Sequence, residues 1–199
     1  MTFESNPFST KFWVPGAIPF RFSAEYRSNR FAEETDFCER LVAAFERYGG
    51  GQIIGPHGSG KSTLIESLKK VFLCNGYDVR HAMLNNRNRR LPEGYSTKPF
   101  RKPFVRIIDG FEWVPLWKRL LFQRRFPGRF LIVTHRPVGR LPILYQTVPR
   151  LDVFMELVRL LAGNEIFTDD DLRRLFEKSC GNFRDAFLTL YDRELRHDG

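Results

Sequence analysis

Gly55-Pro56-His57-Gly58-Ser59-Gly60-Lys61-Ser62 matches every fixed position of the spacing Gly-x4-Gly-Lys-Ser/Thr. The chemistry such a run supports is the holding of a phosphate chain. Its glycines let the backbone turn successive N–H groups inward as a nest for an anion. Lys61 would reach the terminal phosphates, and the Ser62 hydroxyl would join the shell of a Mg²⁺ ion. The phosphates would lie at the positive end of the helix that follows, with Thr63 in its first turn. This composition yields about 0.004 such matches by chance, so a phosphate-binding loop from Gly55 to Thr63 is the reading adopted.

A metal-bound phosphate chain calls for a carboxylate on a second strand. Val105-Arg106-Ile107-Ile108 ends in Asp109, and an unpaired carboxylate closing an apolar run has little packing value. Asp109 is therefore a candidate Mg²⁺ ligand beside Ser62. Glu112 follows three residues on, and two readings stay open for it. It would orient or deprotonate an attacking water, or it is an acid favoured at the start of a helix by the dipole. Phe130 to Val133 form another apolar run, ending in Thr134, whose hydroxyl would bond the terminal phosphate or the water. Arg136 would neutralise transition-state charge in its own site or a neighbour's. The plainer reading of 134–136 is a turn before Pro137.

These side chains need elements to hold them. Prolines and aromatics make 1–30 an irregular arm, its aromatics pinned across the domain surface. A helix is predicted over 33–48, with Phe37, Leu41, Ala44, Phe45 and Tyr48 on one face and Gly49-Gly50-Gly51 ending it. Strands are predicted over 52–54, 77–84, 104–108, 129–134 and 143–148, and a helix over 61–74. A polar, Arg-rich loop spans 85–103. Trp113, Leu116, Trp117, Leu120 and Leu121 mark a further helix face. Helices follow over 151–163, 168–179 and 182–195, the second opened by Thr168 with Asp171 three residues on. Alternating strands and helices predict an α/β, three-layer core with a parallel sheet of about five strands, plus a small helical lid. The expected organisation is an arm over 1–30, a P-loop core over 31–150 and a lid over 151–199.

Taken together, these motifs resemble the AAA+/STAND branch of P-loop ATPases. Asp109-Gly110-Phe111-Glu112 looks like the DGxD/E second motif of STAND ATPases, and Thr134-His135-Arg136 like their strand-terminal Thr-x-Arg sensor. Gly181-Asn182-Phe183-Arg184 is similar to the GxxR motif of AAA+ lids. The segment 77–84, between the two nucleotide motifs, and the Asn6-Pro7-Phe8 start fit the same division. The resemblance implies ATP and Mg²⁺ as cofactors, with Lys61, Asp109, Glu112, Thr134, Arg136 and Arg184 at the catalytic centre and Arg184 reaching the γ-phosphate. It implies a slow Mg-dependent ATPase acting as a nucleotide-controlled switch, with a protein partner and self-association among its expectations. This chain carries Asp109-Gly110 where AAA+ proteins usually carry Asp-Glu. No arginine finger stands out among Arg119, Arg124, Arg125, Arg136 and Arg140.

The net charge is +9, with 32 Lys+Arg against 23 Asp+Glu. It is unevenly spread: zero over 1–78, +5 over 79–112, +8 with no acid over 113–151, and −4 over 152–199. The basic span 87–140 would suit nucleic acid, so a nucleic-acid-associated ATPase is one alternative. The interleaved Phe100, Phe104, Trp113 and Trp117 have the spacing of core residues. A P-loop small-molecule or nucleotide kinase is another, its arginines over 80–106 binding an acceptor phosphate. An ABC-type reading of Thr134-His135 lacks an LSGGQ-like signature. No apolar run approaches the roughly 20 residues of a membrane helix, and the N-terminus has no signal-peptide pattern. Three dispersed cysteines argue for a reducing, cytoplasmic setting.

Overall fold

The computed structural model describes residues 6–10, 15, 17, 20–21, 30–92, 95, 103–119, 129–163 and 166–197. Five strands, β1 (Gly51–Ile54), β2 (Asp78–Met83), β3 (Phe104–Asp109), β4 (Phe130–Thr134) and β5 (Ile143–Gln146), form one sheet in the order β2-β3-β4-β1-β5. Every pairing is parallel. The helices are α1 (Arg30–Tyr48), α2 (Lys61–Cys74), α3 (Leu151–Ala162), α4 (Asp169–Lys178) and α5 (Phe183–His197), with a 3₁₀ turn at Phe111–Trp113. The α/β class, the parallel sheet of five strands and the C-terminal helices are as the sequence predicts. The chain divides into two compact units, one of residues 35–55 and 67–146, the other of residues 1–34, 56–66 and 147–199.

The first unit carries the sheet. Residues of its central strands β1 and β4 are all buried, which suits the apolar run Phe130–Val133 and the pair Ile53-Ile54, while buried Gln52 bonds Leu141 O and Val138 N–H. The strand ends lie close together: Ile54 lies beside Thr134, and Val133 beside Asp109. Three backbone bonds continue this edge, Gly55 N–H to Thr134 O (3.3 Å), Gly110 N–H to Val133 O (3.0 Å) and Leu84 N–H to Asp109 O (2.8 Å). The strand between β1 and β3 is β4, whereas β2, which separates the two motifs in chain order, lies at the sheet's edge.

One face of this sheet buries Ala82, Leu84, Ile108, Phe111, Phe130 and Ile132 around Tyr95. Arg106 lies there too, 5% exposed, so this cation of the basic span is spent internally. Its Nε donates to Tyr95 O at 2.7 Å, and its guanidinium stands 4.6 Å from the Phe104 ring centre. Burial lowers the Arg106 pKa and raises that of Tyr95. The Tyr95 hydroxyl donates to Ile107 O at 2.7 Å.

Three expectations need correcting. Tyr48, expected on one helix face with Phe37, Leu41, Ala44 and Phe45, is 57% exposed under the Arg47 guanidinium, whereas Phe45 is buried against Phe72. Leu116 and Trp117 are 71% and 61% exposed and so do not form a core-facing helix stripe. The corresponding Leu120 and Leu121 lie outside the described residues, as do Phe100, Arg124 and Arg125. The last strand stops at Gln146, and Val148 is exposed.

The second unit is mainly helical. Phe154, Leu157 and Val158 of α3 pack with Leu172 and Leu175 of α4 and Ala186, Phe187 and Leu190 of α5. Thr168 caps α4 by accepting from Asp171 N–H at 3.2 Å, the arrangement its spacing announced. Phe8 does not lie across the surface: it is fully buried in this core, stacked on Phe187. Asn6 secures it, donating through Nδ2 to Tyr191 O at 3.1 Å while its Oδ1 accepts from Phe8 N–H. No helix among the described residues is long and apolar enough to cross a membrane. Phe8→Ala should therefore cost about 3 kcal/mol of stability, read as a lowered urea midpoint with ATP absent.

Candidate nucleotide-binding site

β1 ends at Ile54, and the chain passes through Gly55 straight into the phosphate-loop sequence. Residues 56–66 belong to the helical unit. There Lys61, 8% exposed, donates from Nζ to Pro56 O at 2.6 Å. A buried ammonium needs such an acceptor, and the bond closes the loop on itself. Ser59 donates to the same carbonyl at 2.8 Å, and its Oγ lies 2.6 Å from the hydroxyl of buried Thr147. The loop is thus fastened to the segment that leads into α3.

Gly58 has φ +68°, and a Cβ there would lie 1.8 Å from Asn182 Oδ1 and 3.0 Å from Phe183 N. Any side chain there would have to displace the Asn182 amide, in a left-handed turn that favours glycine. Gly60 is also left-handed, at φ +86°, and helical and left-handed residues together make an anion-binding concavity. Two helix N-termini meet this loop. α2 begins at Lys61 with no acid in its first turn, and its dipole presents a positive end there. α5 is capped by Asn182, whose Oδ1 accepts from Arg184 N–H at 3.1 Å and whose Nδ2 donates to Asp185 at 2.6 Å. Arg184 stands exposed on that first turn. A cavity of about 560 Å³ opens here, lined by Pro56, His57, Ser179, Cys180, Asn182 and Asp185 among others. The loop glycines, the buried lysine and the acid-free helix start fit a triphosphate. Ser62 and Thr63 are half-buried in the first turn of α2.

The sheet unit holds the remaining candidates. Asp109 is half-buried at the end of β3. Gly110 has φ +77°, and a Cβ on it would come within 2.3 Å of Leu84 O. This explains why the chain has no Asp-Glu pair: only glycine can follow Asp109, and the next carboxylate arrives on the 3₁₀ turn as Glu112. Its Oε1 lies 2.9 Å from His135 Nε2. The other ring nitrogen, Nδ1, donates to Gly55 O at 3.2 Å. Thr134 is 1% exposed and donates its hydroxyl to Arg136 O. The Arg136 side chain is exposed.

Asp109, Glu112 and Thr134 therefore share one edge of the sheet with Gly55, while Lys61, Ser62 and Arg184 belong to the helical unit. Of the arginines considered as fingers, Arg119 is tied down, its guanidinium donating to Val114 O at 2.6 Å and to Glu112 O. The sequence reading gave no part to Thr147 or to the bridging role of His135. A hydroxyl 88 residues from its partner leaves no local pattern. The capping role of Asn182 was not read either, though an Asn before a helical run is a signal for it.

No protein-family profile matches the chain, and no curated protein matches it in sequence. Among solved structures it resembles a chain from a structure of Drosophila ORC bound to DNA, with a TM-score of 0.53 and 12% identity. The match covers 89% of this chain and 64% of that one, so this chain spans under two thirds of its length. The class defined by fold is thus an α/β fold with a five-stranded parallel sheet and C-terminal helices, similar to that of the ORC chain. Gly110→Glu, which restores the usual acid pair, should destabilise the protein by about 2 kcal/mol through left-handed strain and collision with Leu84 O. A denaturant titration against wild type measures it.

Proposed function

We propose that the chain binds ATP with Mg²⁺ and hydrolyses it slowly, as a nucleotide-controlled conformational switch. The observation that carries this reading is the loop at 56–61: left-handed glycines, a buried lysine closing on Pro56, and a helix start free of acids. Lys61 would hold the β- and γ-phosphates, with the backbone from Gly55 to Thr63 around them. Ser62 and Asp109 would hold Mg²⁺, which supplies charge neutralisation for phosphoryl transfer. Glu112 would orient the water, Thr134 and Arg136 would sense the terminal phosphate, and Arg184 would couple it to the helical unit. The contact of Gly58 with the cap of α5 supports that coupling, since whatever fills the loop acts on the start of α5.

Lys61→Ala should abolish nucleotide stabilisation. Wild type at a hundredfold excess of ATP·Mg²⁺ over Kd gains about 2.7 kcal/mol, and the variant gains none while its apo melting stays within a few degrees. An equal shift in both would sink the reading. Turnover that requires an added acceptor would replace the switch with a kinase.

A specific surface favours a nucleic-acid-associated form of the same ATPase. Arg87, Arg89 and Arg90 follow β2 and are exposed, Arg89 stands 5.1 Å from the Trp113 ring centre, and Trp117 projects beside Lys118. Such a surface offers cations to phosphates and an indole to a base. The likeness to a DNA-bound protein lends it support. The expected result is single-stranded DNA binding that weakens at least tenfold between 50 and 200 mM salt, with Trp117→Ala lowering affinity further. Binding that ignores salt, or no binding, removes this form.

A further inference from the structure

Glu112 Oε2 is buried and has no hydrogen-bond partner, while Oε1 is engaged by His135. An unpartnered buried carboxylate oxygen is costly, and this one sits at the sheet edge that carries Asp109. His135 bonds in two directions at once, Nε2 to Glu112 and Nδ1 to the carbonyl of Gly55. Gly55 is itself fixed in the sheet by its N–H to Thr134 O. The imidazole is therefore a strut between the first residue of the phosphate loop and the carboxylate. It leaves Glu112 one oxygen, in a set orientation.

We infer that His135 is a positioning residue for hydrolysis: it holds Glu112 so that Oε2 receives the proton of the attacking water. The inference rests on the ATPase reading above and deepens it. In the step, the water oxygen bonds to the γ-phosphorus and the bond to the bridging oxygen breaks, its electron pair leaving on the diphosphate. The water proton passes to Oε2. His135 gives up no atom and touches no substrate. It removes the rotational freedom of a side chain that carries three rotatable bonds, and general bases lose efficiency when misplaced.

The test uses the whole chain and separates binding from turnover. ATP·Mg²⁺ affinity is measured by calorimetry and hydrolysis by single-turnover release of phosphate, for wild type, Glu112→Gln, His135→Ala, His135→Gln and the double variant Glu112→Gln/His135→Ala. Glu112→Gln should slow hydrolysis about a hundredfold. His135→Ala should slow it about tenfold or more with ATP affinity within about threefold of wild type. His135→Gln, whose amide can still donate to Glu112, should recover part of the rate. The double variant should be no slower than Glu112→Gln alone, because a positioning residue has nothing to position once its partner is lost. Additive losses, or a His135→Ala defect confined to ATP affinity, overturn the inference. A wild type that binds ATP·Mg²⁺ without hydrolysing it also overturns it, leaving the binding reading intact. Failure to bind ATP removes both.

Discussion

The close approach of Gly58 to Asn182 is the constraint on which the helical unit's site depends. A single methyl group at Gly58 would sit inside the van der Waals sphere of the Asn182 carbonyl oxygen. That oxygen caps α5, so the backbone turn of the loop, the cap, and the place of Arg184 are set together. Ser59 adds a second fastening through Thr147, and Lys61 closes the loop on Pro56. A loop bonded at both shoulders to the helices that follow the sheet is suited to transmit the presence of a ligand. Small displacements matter where packing offers two arrangements and nothing between.

At the sheet edge the governing constraint is the regular parallel pairing of β1 with β4 and of β4 with β3. Because Ile54 ends beside Thr134, and Asp109 one residue lower beside Val133, the residues that follow each strand emerge close together. Gly110 then turns where no side chain fits, and the 3₁₀ turn presents Glu112 to His135. The departure from the usual acid pair is thus a property of the turn. It relocates the carboxylate and binds it to an imidazole that reports to Gly55.

Much of this was legible in the sequence, for reasons that differ by element. The runs at Gly51–Ile54, Phe104–Asp109 and Phe130–Thr134 had to be buried on both faces, since nothing polar interrupts them but Gln52 and Arg106. Lys61–Cys74 and the three last helices carry 3.6-residue periodicity, and Thr168 announces its helix by capping chemistry. What stayed hidden was long-range. The spatial order of the strands, which puts β4 between β1 and β3, depends on crossovers that no local window contains. Phe8 reads as one of many aromatics in an irregular arm, and only tertiary packing makes it core. Arg106 looks like a surface cation until the neighbouring rings and Tyr95 O are seen to enclose it. The apolar spacing of Leu116 and Trp117 suggested burial and misled, because spacing says which residues share a face and not whether anything covers it.

If the loop at 56–62 holds a triphosphate, the start of α5 should respond to it. Amide hydrogen exchange, followed by residue with and without millimolar ATP·Mg²⁺, tests both halves at once. Slowed exchange is expected at 57–62 and, in the same titration, at 183–186. Unchanged exchange across the loop would contradict triphosphate binding outright, and protection of the loop with no response at 183–186 would contradict the coupling through Gly58 and Asn182.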